Sequence, residues 1–84
     1  MYLVKINRKA VKKVIFNHSK LRGKIVEVYK TNALFASDMG LSGQAISMKL
    51  NNKCDFTQSE IFKATELLSI SPDDVAKYFF CLDS

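Results

Sequence analysis

From residue 18 onward, the hydrophobic positions recur at helical spacing. Leu21, Ile25 and Val28 stand at i, i+4 and i+7, which places one apolar stripe on a helix over about 19–29. The same periodicity predicts four more short helices, over about 32–39, 43–50, 58–68 and 72–78. The predicted core consists of Leu21, Ile25, Phe35, Ala36, Leu41, Ile46, Leu50, Ile61, Leu68 and Val75. This pattern indicates a compact all-α domain of five helices.

Polar residues at the start of each apolar segment support these boundaries. Thr57 and Glu60 have the spacing of a capping box, in which each side chain bonds the backbone N–H of the other residue. Gly40 follows the second helix, at a position where a left-handed backbone would end it. The other potential start signals are Asn17 or Ser19, Thr31, Ser42, and Ser71 followed by Pro72, Asp73 and Asp74.

Residues 1–17 do not fit this helical pattern. Their apolar residues alternate as in a strand over residues 2–6 but take helical spacing over residues 11–15, so the structure of this stretch stays open. No linker composition, internal repeat or low-complexity segment divides the rest of the chain. We therefore separate a basic N-terminal arm, residues 1–17, from a helical domain, residues 18–84.

The composition restricts the class of protein. A chain of 84 residues forms one small domain, and its 3 Gly and 1 Pro are too few for the turns of a small β-barrel. No apolar run is long enough to cross a bilayer, and lysines interrupt every stretch that could form a secretory signal. Cys54 and Cys81 are too few for a disulfide scaffold, so we expect reduced thiols and a cytoplasmic location.

The sequence contains no pattern expected of a catalytic or metal site. Cys54, Cys81 and His18 lack the spacing of metal ligands, and no glycine-rich phosphate loop is present. His18 is better explained as a helix-start residue than as a ligand, and Asp73 and Asp74 as acids that complement a helix dipole. We therefore expect no enzymatic activity, no cofactor and no small-molecule substrate.

The charge is distributed unevenly along the chain. Of the formal net charge of +5, residues 1–24 contribute +8, residues 25–53 contribute +1 and residues 54–84 contribute −4. Such a polarised field suits a polyanionic partner, although a basic face can also serve only solubility. Membrane binding is disfavoured because the basic residues lack the strong apolar face needed for interfacial anchoring. Nucleic acid and a merely solvated face remain as the two explanations.

Residues 31–52 have the features that a helix-turn-helix unit requires. The two helices cross closely, so a small residue is needed at the contact, and Ala36 supplies it. Gly40 can adopt the positive φ of the turn, and Leu41 enters the core directly after it. In the second helix, Ile46 and Leu50 face inward. The outward positions carry small or hydrogen-bonding side chains rather than the Lys and Glu of a solvated face.

This segment resembles the helix-turn-helix of the Cro and CI type regulators of phages, a lambda-repressor-like fold. The resemblance is carried by Phe35-Ala36, Met39-Gly40-Leu41-Ser42, Ile46-Ser47 and Leu50-Asn51, and continues in Ile61-x-x-Ala64-x-x-Leu67-Leu68-x-Ile70-Ser71. Further similarity, to small Cro-like proteins from phages of Gram-positive bacteria, lies in residues 20–25, 47–51 and 78–80. Asn52 and Ser69 depart from the family, which often has Gly at these positions.

The resemblance implies a sequence-specific DNA-binding transcriptional regulator that inserts residues 43–50 into the major groove of an operator. The residues expected to read bases are Ser42, Gly43, Gln44, Ser47 and Met48, and the amide of Gln44 can pair with adenine. The residues expected to contact phosphates are Thr31, Asn32, Lys49, Asn51, Asn52 and Lys53. Specific binding to double-stranded DNA implies a homodimer, for which residues 78–82 and the start of the arm are the candidate interfaces.

A second interpretation belongs to a different class of function. In this alternative the chain is an adaptor, such as an anti-repressor or an antitoxin-like component, that retains the helix-turn-helix fold but binds protein. The outward face of residues 42–48 discriminates between the two. Salt-dependent DNA binding favours the transcriptional regulator, whereas a tight protein partner without DNA affinity favours the adaptor.

Overall fold

The computed structural model of the chain describes residues 14–82. Its elements are α1 (Ser19–Tyr29), α2 (Asn32–Met39), α3 (Gly43–Leu50), α4 (Gln58–Leu67) and α5 (Val75–Phe79), with a 3-10 turn, Pro72–Asp74, directly before α5. The predicted all-α fold of five helices is thereby confirmed. Within residues 14–82, extended pairing is limited to one antiparallel bridge between Phe16 and Leu82. None of these five helices has the length and apolarity needed to cross a bilayer.

Local capping explains why α2, α3 and α4 begin where the sequence predicts. The hydroxyls of Thr31, Ser42 and Thr57 each accept a hydrogen bond from the backbone N–H three residues further on. Glu60 completes the capping box by accepting a bond of 2.8 Å from the backbone N–H of Thr57. Gly40 ends α2 in the left-handed region, with a φ of 75°.

α1 begins at Ser19, as predicted, whereas the last helix begins differently from the prediction. At α1 the cap position is held by His18, which makes no capping bond, while Asn17 accepts a bond of 2.8 Å from the N–H of Ser19. At the other end, the backbone N–H of Asp74 bonds the carbonyl of Ser71 at 2.8 Å. That three-residue closure makes a 3-10 turn of Pro72–Asp74, so the predicted fifth helix is divided in two.

One core lies between the helices. Seven of the ten predicted core residues are buried, and Leu41, Ile61 and Val75 are half-buried against them. The core is completed by Met39, Ala64, Ile70 and Phe79. Val28, assigned to the inner stripe of α1, is exposed instead. The last turn of α1 packs through Tyr29, whose ring centroid lies 5.4 Å from that of Phe35.

Both chain ends of the described segment meet at one side of the domain. The backbone N–H of Asn17 bonds the carbonyl of Cys81 at 2.7 Å, beside the bridge between Phe16 and Leu82. Phe79 is buried, so of the C-terminal dimer candidates Phe80 and Leu82 are the large apolar residues that remain exposed. The other candidate, the start of the arm, lies outside the described residues, as does most of the predicted arm itself.

Candidate helix-turn-helix surface

The α2–α3 pair has the packing that the sequence predicts for a helix-turn-helix unit. α2 packs more extensively on α3 than on any other helix described. Ala36 is almost fully buried at the crossing, and its carbonyl accepts a bond of 2.9 Å from the N–H of Leu41 across the Gly40 turn. Ile46 and Leu50 are buried and fix α3 to the core. This arrangement holds the opposite face of α3 toward solvent.

The predicted base-reading residues are all exposed and lie together along α3. These residues are Ser42, Gly43, Gln44, Ser47 and Met48. Two of them also act within the fold, because the Ser42 hydroxyl caps α3 and the Ser47 hydroxyl accepts a bond of 3.4 Å from the Asn51 amide. The resulting α3 face, residues 42–48, carries no formal charge.

The predicted phosphate-binding residues lie in two places, at the start of α2 and at the end of α3. Thr31 and Asn32 lie at the start of α2, where Thr31 is exposed and Asn32 is half-buried. Lys53 lies beyond the end of α3 with an exposed side chain, and its backbone N–H bonds the Met48 carbonyl at 2.8 Å. Asn51 is exposed, but its side-chain oxygen accepts a bond of 2.7 Å from Arg22.

Lys49 corrects the sequence-based expectation, because it is a buried structural cation. Only 9% of the residue is exposed. Its ammonium lies 2.9 Å from Oε1 of Glu60 and donates a bond of 2.9 Å to the carbonyl of Asp55. These two contacts argue against a phosphate contact for Lys49, since its charge is already neutralised inside the domain. Lys49 therefore joins α3 to α4 rather than to DNA.

The pKa of the Glu60 carboxylate is lowered in this site. Burial alone would raise its pKa. The backbone N–H of Thr57 and the Lys49 ammonium, which both bond the ionised carboxylate, together outweigh burial and hold the pKa below its ordinary value of 4.5. Glu60 is thus ionised at neutral pH, and it completes the helix cap and the ion pair at once.

Asn52 also has a structural role that the sequence did not predict. Its side-chain oxygen accepts a bond of 3.0 Å from the backbone N–H of Phe16, and its amide nitrogen donates a bond of 2.9 Å to the carbonyl of Phe16. This paired contact ties the segment before α1 to the loop after α3. The amide is therefore bonded within the domain, whereas the sequence analysis expected it to contact a phosphate.

Two residues of α1 and its cap hold the C-terminal end of α3, and sequence reasoning missed both roles. His18 is 5% exposed, and its Nδ1 lies 3.1 Å from the carbonyl oxygen of Leu50. Arg22 donates a bond of 3.2 Å to the same oxygen. Side-chain donors at a helix C-terminus satisfy carbonyls without intrahelical partners and favour the helix dipole. The signal was the spacing of His18 and Arg22, one turn apart on the side that faces α3.

The described part of the chain is nearly neutral. Within residues 14–82, eight Lys and Arg side chains stand against seven Asp and Glu side chains, which leaves a formal net charge of +1. The other five cations, Lys5, Arg8, Lys9, Lys12 and Lys13, fall in residues 1–13, outside the described segment. The basic character seen in the sequence is therefore not a property of the helical domain.

Residues 14–81 match the family model described as Protein of unknown function (DUF739). The chain belongs to this family. Among solved structures, it is similar to the solution structure of the modulator of repression (MOR) of the temperate bacteriophage TP901-1 from Lactococcus lactis. The TM-score is 0.69 and the identity 45%, over 77% of this chain and 88% of that chain. A search of curated proteins found no significant match.

These matches confirm the expectation of a phage regulatory protein, but at a coarser level than the sequence analysis proposed. The family matched is the DUF739 family rather than a Cro or CI family. Two positions where Gly is common in Cro-like proteins are non-glycine in this DUF739 domain, and both have positive φ: 62° at Asn52 and 55° at Ser69. The departures from the expected pattern therefore preserve the backbone that glycine would favour.

Proposed function

We propose that the chain modulates a phage repression switch by binding a protein, the repressor of that switch, through the α3 face. The relative from bacteriophage TP901-1, at 45% identity, is named a modulator of repression. The observation that carries the proposal is that the α3 face itself contains no cation. Residues 42–48 are uncharged, and the lysine that follows them, Lys49, is buried in an ion pair with Glu60.

Phosphate contacts supply most of the affinity of a protein for DNA, and they come chiefly from Lys and Arg. Of the six residues predicted to bind phosphates, Lys49 and Asn52 are used within the domain. Lys53 is the one exposed cation among the other four. The α3 face has amide and hydroxyl groups and Met48, but few cations flank it. This is the composition of a protein interface, where a flexible methionine is favoured.

Operator DNA is the second candidate partner. Ser42, Gly43 and Gln44 are exposed at the N-terminal end of α3, the end that reads bases in helix-turn-helix proteins. The five cations of residues 1–13 offer a source of phosphate contacts that the helical domain lacks. In this case Gln44 reads an adenine, Thr31 and Lys53 hold phosphates on the two sides, and a homodimer binds a two-fold operator.

A pair of titrations with the full-length chain tests the proposal. One titrates the purified repressor of the same phage switch. The other titrates its operator duplex, and a scrambled duplex, at two salt concentrations. The proposal expects a stable complex with the repressor that Met48→Ala and Gln44→Ala weaken and that Lys63→Ala, an exposed change on α4, leaves unchanged. Sequence-specific, salt-dependent DNA binding without a repressor complex would instead establish the second candidate.

A further inference from the structure

A cavity of about 500 Å³ lies at the other end of α3, away from the N-terminal end of the α3 face. Four phenylalanine side chains line it: Phe16, Phe56, Phe79 and Phe80. The rings form two edge-to-face pairs, with centroids 5.8 Å apart for Phe16 and Phe80 and 5.3 Å apart for Phe56 and Phe79. The volume is in the range of small-ligand sites, which are mostly apolar with a few placed polar groups.

His18 supplies the polar group in this cavity. A carbonyl oxygen only accepts, so the 3.1 Å contact with Leu50 places the ring proton on Nδ1 and leaves Nε2 of the neutral imidazole as an acceptor. Nε2 has no hydrogen-bond partner among residues 14–82. Within that segment no fully buried side-chain nitrogen or oxygen lacks a partner. An unpartnered Nε2 is therefore not a fully buried atom, and the cavity is the space that His18 lines within residues 14–82.

The other polar side chains of the cavity add further acceptors and no strong donor. Asp55 is one of the lining residues, and a carboxylate side chain can only accept hydrogen bonds, while Cys54 offers only a weakly polar thiol. Asn52 lines the cavity too, but its amide is bonded to the backbone of Phe16 at both ends. A matching ligand has an aromatic surface for the phenylalanine rings and donates a hydrogen bond without bringing an acceptor of its own.

We propose that this cavity binds an indole group, whose N–H donates to Nε2 of His18 while its ring packs among the four phenylalanines. The indole N–H is a donor only, whereas a phenol would bring an oxygen whose acceptor sites find no strong side-chain donor among the lining residues. The chain contains no Trp, so the group comes from outside, either as a free indole compound or as the tryptophan side chain of another protein. This inference does not depend on the proposed function of the α3 face.

The absence of tryptophan makes the test direct, because the fluorescence of an added indole reports on the ligand alone. The full-length chain is titrated with indole and with 1-methylindole, which has nearly the same ring but cannot donate. Saturable binding of indole, with 1-methylindole at least about tenfold weaker, is the expected result, since loss of one buried hydrogen bond is worth about a factor of ten. No binding of indole, or equal binding of the two compounds, would overturn the proposal.

A second readout follows the single histidine of the chain. Indole should shift the ¹⁵N resonance of His18 Nε2, and 1-methylindole should not; an unchanged resonance at saturating indole would contradict the proposed bond. Phe80→Ala should weaken indole binding about tenfold, while Phe62→Ala, an exposed phenylalanine outside this cavity, should leave it unchanged. N-acetyltryptophanamide separates the sources, because binding comparable to indole indicates a tryptophan side chain and exclusion indicates a free compound.

Discussion

The ammonium of Lys49 lies 2.9 Å from the carboxylate of Glu60 and joins the last turn of α3 to the first turn of α4. The two side chains are 11% and 19% exposed, so the pair is shielded from solvent and from salt. This contact decides what Lys49 does. A cation that is neutralised within the domain stabilises the position of α3, but it does not attract a phosphate.

The first prediction separates these two roles of lysine. Lys49→Met should lower the free energy of unfolding by about 1–3 kcal/mol, because Glu60 then keeps its bonds to Thr57 but loses its counter-ion in a largely buried site. Lys53→Met, the matched change at an exposed lysine, should stay within about 0.5 kcal/mol of the natural chain. Urea denaturation measures both. Equal stability of the two variants would contradict the structural role assigned to Lys49.

The second prediction concerns pH. Because the folded-state pKa of Glu60 lies below its ordinary value of 4.5, the ionised carboxylate stabilises the fold above about pH 4.5. That contribution is lost as the pH falls through the lowered pKa of the folded state. Glu60→Gln should therefore be less stable than the natural chain at pH 7, and the difference should shrink toward pH 3. Thermal melting across this range measures it.

The control for this pH dependence is Glu66→Gln, an exposed acid on the same helix. Its melting temperature should follow that of the natural chain at every pH. If the Glu60 variant also followed the natural chain, the ion pair and the capping box would not stabilise the fold in the way proposed here.

The third prediction compares Asn52 and Ser69, two of the three non-glycine positions with positive φ in residues 14–82. Ser69→Gly should raise stability by up to about 1 kcal/mol, because glycine adopts a φ of 55° without the cost that a side chain meets there. Asn52→Gly relieves the same cost but removes both bonds to Phe16, worth about 0.5–1.5 kcal/mol each, so it should lower stability. Hydrogen exchange at the Phe16 amide should accelerate in Asn52→Gly alone. Similar behaviour of the two variants would show that the Phe16 contact is not stabilising.

The fourth prediction tests the helix crossing. Ala36→Leu should destabilise the domain by about 1–3 kcal/mol, because the added carbons have no space between α2 and α3. Ala33→Leu places the same change on the exposed side of α2 and should be nearly neutral. Thermal unfolding of both variants measures the difference, and an unchanged melting curve for Ala36→Leu would contradict the crossing.

The helix boundaries could be predicted from the sequence because they depend on local chemistry. Thr31, Ser42 and Thr57 bond backbone groups only three residues away, so their effect is visible in a short window. The burial and ion pairing of Lys49 depend on Glu60, which lies on another helix, and no local sequence pattern predicts that pair. The prediction that Val28 faces the core was wrong for a related reason. Helical spacing defines the apolar face of α1, but neighbouring helices decide how much of that face is buried. At the end of α1 the ring that packs against Phe35 is that of Tyr29.

In the candidate site, too, features that depend on nearby residues could be predicted, and contacts between distant residues could not. The exposure of Ser42, Gly43, Gln44, Ser47 and Met48 could be predicted from the periodicity of α3, since Ile46 and Leu50 define the buried side. The ties of Asn52 to Phe16 and of His18 to Leu50 cross 36 and 32 residues of sequence. They bring the N-terminal segment to the end of α3, where the phosphate-binding set was expected. The basic charge of the sequence, in turn, falls mostly in residues 1–13, beyond the helical domain.

The last prediction decides which partner the α3 face contacts. Gln44 is exposed in the first turn of α3, whereas Lys53 lies beyond its last turn. If the partner is a repressor protein, Gln44→Ala weakens the complex at both low and high salt, because an amide contact is uncharged. Lys53→Ala then changes mainly the salt dependence of association, as a charge at the rim of an interface does.

If the partner is operator DNA, the same two variants behave differently. Gln44→Ala should cost about 1–3 kcal/mol on the specific duplex and much less on a scrambled one, because base readout is lost. Lys53→Ala should weaken both duplexes equally and reduce the slope of log affinity against log salt by about 1, since one phosphate contact is removed. Titration of each variant against repressor and both duplexes at two salt concentrations distinguishes the patterns. Unchanged affinity of Gln44→Ala for every partner would remove the α3 face from either function.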